Sequence, residues 1–203
     1  MNGLVNALAI SGHDVYVAGT FNMAGGQSAY GIARWDGSQW HALQGAISNG
    51  LGGVRALAVS DGELFAAGSF VNADGQPANR VARWDGNEWN ALGSGETVGV
   101  NDQVYALTAA NGEVYVGGSF TGAGGQPANR VARWDGAQWA SLEMDNDNGV
   151  NNVVWALEVS GSTLHVGGWL TVAGGQLSSH FTSFYADAVF GDRFVEQPAA
   201  SSD

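Results

Sequence analysis

Arg83-Trp84-Asp85-Gly86 and Arg133-Trp134-Asp135-Gly136 are the same four residues fifty positions apart, and Arg34-Trp35-Asp36-Gly37 stands forty-nine before the first. A second tryptophan follows each after five residues, at Trp40, Trp89 and Trp139. Upstream, Gly19, Gly68, Gly118 and Gly168 keep the same period, as does an Ala-x-Gly-Gln element ending at Gln27, Gln76, Gln126 and Gln176. Residues 75–86 and 125–136 are identical. Self-similarity at a fixed period of this length marks a repeat architecture. The chain is therefore four copies of one unit, about 2–48, 49–98, 99–148 and 149–194, with a polar tail over 195–203. The fourth copy decays: fifty on from Trp134 stands Phe184, Tyr185-Ala186 replaces Asp-Gly, and Val189 takes the place of the second tryptophan. Terminal repeats are commonly atypical.

Each unit reads as four strands. In the third copy they are 104–109, 113–118, 130–134 and 138–142. Asn111-Gly112 and Asp135-Gly136 make tight turns, since these residues tolerate positive φ. A long loop over 119–129 joins the second and third strands. Helical periodicity is absent.

At these residues a family comes into view. A hydrophobic strand, a Tyr115-Val116-Gly117-Gly118 strand end, a long loop, an aromatic-Asp turn and a spaced tryptophan resemble the kelch motif. The unit is similar to repeats of bacterial secreted kelch-like proteins and of fungal cortical markers of cell polarity. Two departures stand out. The first two copies have Ala18-Gly19 and Ala67-Gly68 for the glycine pair, and Trp replaces the usual Tyr of the third strand. The resemblance implies an all-β fold, a β-propeller of about four four-stranded antiparallel blades. Four blades are few for that family. Three arrangements follow: a ring closed within one chain, two chains completing an eight-bladed ring, or part of a larger ring. In the first two the protein is a monomer or a homodimer, and Phe190 to Phe194 could latch the closure.

Composition narrows the function classes. Seven basic residues, all Arg, face nineteen acidic ones, a net charge of −12. A surface this acidic repels phosphate backbones, so nucleic acid is not an expected partner. No run of eighteen apolar residues exists, so membrane insertion is not expected either. Cysteine is absent, which removes disulfides and thiolate ligands. The opening residues Met1-Asn2-Gly3-Leu4 lack the basic and apolar regions of an export signal. The phase of the repeat favours a chain that begins after such a signal. Residues 188–194 resemble the short ends of some secreted bacterial repeat proteins. Extracellular or cell-surface localisation is the expectation.

Site residues are weighed against structural roles. Tryptophan at a fixed blade position packs between sheets more readily than it stacks on sugars. Arg80 and Arg130, with Asn79 and Asn129 beside them, are the ligand-binding candidates, through guanidinium recognition of an anion or carboxylate. Arg83 and Asp85 share a strand face, which fits a repeated ion pair. Asp145-Asn146-Asp147-Asn148-Gly149 alternates oxygen side chains, so Asp145 and Asp147 are candidate calcium ligands, although the closing Glu of an EF-hand is missing. No other cofactor is expected. The four histidines fall on different repeat positions and do not converge by spacing. No nucleophile elbow, phosphate loop or zinc-helix motif is present. The expected function is a non-catalytic extracellular binding, adhesion or structural module whose long loops, on one face, meet a glycan or protein ligand. The alternative is a carbohydrate-active enzyme, a lyase or glycosidase, or a propeller accessory to an oxidase. Near-identical blades speak against it, because catalysis needs an asymmetric site.

Overall fold

The repeat builds one four-stranded antiparallel sheet per copy. The structure, a computed structural model, describes residues 1–43, 45, 47–48, 53–144, 147–186 and 194–195. The strands are Val5–Ser11, Asp14–Gly19, Ile32–Trp35 and Trp40–Ala42 in blade 1, and Val54–Ser60, Glu63–Gly68, Val81–Trp84 and Trp89–Ala91 in blade 2. Blade 3 has Val104–Ala110, Glu113–Gly118, Val131–Trp134 and Trp139–Ser141, and blade 4 has Val154–Ser160, Thr163–Gly168, Phe181–Ala186 and Phe194–Val195. In each sheet the strands lie in chain order, so among the described residues no blade borrows a strand from another copy. Phe194 pairs with Ala186 in its own blade. The proposed latch residues Phe190 to Arg193, and Val189, lie outside the described residues.

The first strands of successive blades pack on one another, which makes them the inner edge of the array. Three apolar layers fill the gaps between blades. Tyr16, Ala18 and Ile32 of blade 1 meet Leu57, Leu64 and Ala66 of blade 2. Phe65, Ala67 and Val81 then meet Leu107, Val114 and Val116. Tyr115 and Val131 meet Val154, Leu164 and Val166. Each blade thus has a leading face toward the preceding copy and a trailing face toward the next. Among the described residues no such packing joins blade 4 to blade 1. Within the described residues the blades thus run as an open arc, with no apolar layer of this kind between the last blade and the first.

The tryptophan pairs do what a packing role requires. Trp84 lies directly across from Trp89 and Trp134 across from Trp139. Their rings tilt at 52° and 53° with centroids 5.4 and 5.6 Å apart, inside the range of favourable aromatic pairs. Trp139 is buried, and its indole N–H donates to the Leu92 carbonyl of the preceding blade at 2.9 Å. Phe184 takes the register of Trp134, paired with Leu164 as Trp134 is with Val114. It is fully buried, which explains how a degenerate copy still closes its sheet.

The aspartate of each Trp-Asp-Gly turn accepts two backbone N–H bonds two and three residues on. Asp85 takes those of Asn87 and Glu88, and Asp135 those of Ala137 and Gln138. This is an Asx-type turn. Bonds to the Glu88 and Asn87 N–H groups hold the Asp85 carboxyl below its ordinary range. At Asp135 partial burial pushes upward, yet the N–H bonds prevail and the net shift is down. A carboxyl whose folded pKa is lowered stabilises the fold above its unfolded value and loses that contribution as pH falls through the folded one. The melting temperature is therefore expected to hold from neutral pH down to about 4 and then fall. In an Asp85→Ala, Asp135→Ala double variant the acid limb should be shallower. Matching acid limbs in a pH series of thermal melts would remove these turns from the acid response.

Candidate functional site

The second residue of every first strand is a β-bulge. In blade 3 Val104 pairs with Gly118 and Ala106 with Gly117, leaving Tyr105 unpaired. The same shift occurs at Asn6, Arg55 and Trp155. A bulge re-aims the extra side chain, and bulges concentrate near sites. The bulged residues of successive blades meet along the inner edge. The Asn6 amide donates to the Val54 carbonyl at 2.9 Å. The Arg55 guanidinium sits 5.3 Å from the centroid of the Tyr105 ring, within cation–π range. Tyr105 stacks on Trp155 at 4.3 Å, and Trp155 meets Trp169 edge-on at 5.6 Å. The series opens toward solvent at its end, where Trp155 is 44% and Trp169 61% exposed. The Arg55 Nε is buried with no hydrogen-bond partner among the described residues.

These residues sit at the end of the sheets from which the long loops rise. Each long loop is itself a small hairpin, such as Gly122–Ala123 paired with Gln126–Pro127. In blades 1, 3 and 4 an asparagine pins it to the segment that precedes the blade. The Asn101 side-chain oxygen accepts the N–H groups of Thr121 and Gly122, and Asn151 does the same for Thr171 and Val172. Between blades 2 and 3 the loops enclose an open depression of about 460 Å³, lined by Asn79, Arg80, Glu96, Asn101, Thr121 and Gln126 among others.

The residues expected to bind are divided by this geometry. Asn79 and Arg80 line the depression, whereas Asn129 and Arg130 hold the equivalent place one blade on. Much of their work is structural. The Asn79 carbonyl accepts from Val100 and that of Asn129 from Val150, which ties each blade to the next. Arg130 donates from its guanidinium to the Phe120 carbonyl at 3.1 Å. Both arginines have left-handed backbone, φ 78° and 65°. The repeated ion pair exists with a partner other than Asp85. Arg83 bonds Glu63 at 3.0 Å and Arg133 bonds Glu113 at 2.5 Å, across to the second strand, because Asp85 and Asp135 are engaged in their turns. Glu113 also accepts the Tyr115 hydroxyl, and burial followed by that carboxylate pushes the Tyr115 phenol well up.

Asp145 lies outside the described residues, and Asp147 belongs to a two-residue ladder with Glu143–Met144. Among the described residues no three His, Asp or Glu side chains gather as metal ligands would. The histidines stay apart, His41 on Asp36 and His165 on Ser183. The bulged residues were not among the expected site positions. Their signal is present: all four copies read Val-x-Ala-Leu, at 5–8, 54–57, 104–107 and 154–157, and only x changes.

A family model described as a domain of unknown function (DUF5122) beta-propeller matches residues 60–86 and 109–134. The fold is a β-propeller. No curated protein matches the chain. Among solved structures, the computationally designed Ika4 protein superposes with TM-score 0.50 at 18% identity, covering 91% of this chain and 92% of that one. The computationally designed Ika8 protein gives 0.51 at 20% identity over 92% of this chain and 57% of that one. Likenesses at such identities concern the fold alone.

Proposed function

We propose that this propeller, of kelch type in its repeat, is a non-catalytic extracellular binding module that takes a glycan at the inner rim of its long-loop end. One observation carries this reading. A single backbone position, repeated with the same bulge in all four blades, holds Asn6, Arg55, Tyr105 and Trp155. A residue needed only for packing repeats from blade to blade, as the Trp pairs do. A position that varies on a constant scaffold selects a ligand. Its occupants run from amide through guanidinium to aromatic, and the exposed rings of Trp155 and Trp169 offer faces on which a sugar ring stacks. Arg55 adds a cation for a uronic or sulfated sugar. With a net charge of −12, the module meets such a sugar through this one local cation, not through its overall field.

The test is a glycan array followed by calorimetry on the oligosaccharides retained. Trp155→Ala and Tyr105→Ala should each weaken binding about tenfold, which corresponds to ~1.4 kcal/mol. Leu177→Ser, at an exposed loop tip, should leave it unchanged. Binding that survives both aromatic substitutions, or contacts confined to the turns at Gly37, Gly86 and Gly136, would sink the proposal. Shortened sugars in the incubation would replace it with a hydrolase or lyase.

A further inference from the structure

The arc ends in two faces that the internal pattern says should be covered. On the leading face of blade 1, Leu8 is 63% and Ile10 70% exposed, while Leu57 and Leu107, at the position of Leu8, are both 8% exposed. Leu4, 72% exposed, extends this patch. On the trailing face of blade 4, Phe181 is 58% exposed, whereas Ile32, Val81 and Val131 at the same position are fully buried. Phe181 stacks on His165, which takes the place of Tyr16, Phe65 and Tyr115.

We propose that a second copy of this chain covers both faces. Three internal layers already show what a trailing face meets: the leading leucine and the apolar second strand of the following blade. Blade 1 of another copy presents that set in Leu8 and Ile10, with Val15 half-buried beside them. Phe181 of one chain then lies on Leu8 of the other. By the register that sets Thr20 beside Gly53, Trp169 falls next to Leu4 of the second chain. The contact joins two different faces, so it is heterologous, and it must either close or run on. Closure takes two chains, because twice four blades gives eight, inside the range of about four to eight that propellers occupy, and three chains would exceed it. Contiguous apolar faces on both ends also disfavour a free arc in water. The rim then becomes continuous, with Trp155 of each chain beside Asn6 of the other. This assembly does not depend on the identity of the ligand.

Sedimentation equilibrium at micromolar concentration tests it. The expected mass is twice that of the 20.9 kDa chain. Leu8→Lys and Phe181→Glu should each give a folded species of lower mass, the fold being checked by the near-ultraviolet signal of the Trp pairs. Mixed together, the two variants should recover a dimer, since each retains the face that the other has lost. A wild-type monomer would overturn the proposal and leave the faces to another occupant, such as further blades. A higher oligomer would overturn the two-chain closure. A dimer indifferent to both substitutions, or variants that fail to complement when mixed, would show that the chains meet elsewhere.

Discussion

Trp139→Ala is expected to lower stability by about 3–5 kcal/mol, the range for truncating a buried large aromatic. The residue sits where two blades meet. Its ring packs with Leu92 of blade 2 and with Val114 and Phe120 of blade 3 in one apolar layer, and its N–H satisfies the buried Leu92 carbonyl at 2.9 Å. Truncation therefore opens a cavity and removes a buried hydrogen bond together, although the Leu92 carbonyl keeps the Gly99 N–H at 3.0 Å, and a net bond of this kind is worth about 1 kcal/mol. Trp134, across the hairpin, is only half-buried, and Trp134→Ala should cost less, about 2 kcal/mol from lost apolar burial. Urea unfolding of the two variants measures the contrast. Equal losses would mean that the indole hydrogen bond and the deeper burial contribute nothing.

Gly118→Ala is expected to cost about 3 kcal/mol or more, beyond the usual cost of overpacking, because the obstacle is backbone. A Cβ here would meet the Gln103 carbonyl oxygen at a separation no real Cβ adopts. That carbonyl is held in place by the Ser119 N–H at 3.0 Å, so it cannot swing away without losing a bond. The clash recurs at Gly19, Gly68 and Gly168, against Leu4, Gly53 and Val153. Gly118 pairs with Val104 at the bulge that presents Tyr105, so the substitution should disturb the rim as well as the fold. Gly112→Ala, in a turn with open space around the new methyl, carries only a positive-φ penalty of about 1 kcal/mol. If chemical denaturation gave Gly118→Ala the smaller loss, the bulge would be softer than its geometry implies.

Strands and turns could be read from the residues because each rests on local chemistry. Asn111-Gly112 turns with φ of 56° and 79°, and the strand 113–118 has the bounds its composition predicts. The bulge could not be read in that way. An extra residue in Val104-Tyr105-Ala106-Leu107 leaves no mark in an apolar strand, and only comparison of the four copies isolates the changing slot. Asn79 and Arg80 were singled out for their identities, and they do lie on the long-loop face. The polar groups of Asn79, however, largely serve the seam between blades, and the backbone of Arg80 bonds within its own blade. The open arc was equally hidden. Contacts between neighbouring repeats fix how one blade sits on the next, but closure depends on a small rotation accumulated over all of them. The partner of Arg83 went astray for a related reason: Asp85 is near in sequence, but its oxygens are already taken by the turn.

Because every blade completes its own sheet from consecutive residues, the array couples like a one-dimensional chain of units. Each sheet contributes an intrinsic term and each seam a nearest-neighbour term, and no strand carries order from one end of the molecule to the other. Blades 2 and 3 have two seams each, blades 1 and 4 one. Cooperativity is then greatest in the middle and weakest at the ends, and local opening starts where a seam is missing. Pairings within a blade span short stretches of chain, which favours rapid formation of each sheet before the seams lock. A closed ring would give every blade two seams and abolish the weak ends, so order at the rim and order of the whole would rise together.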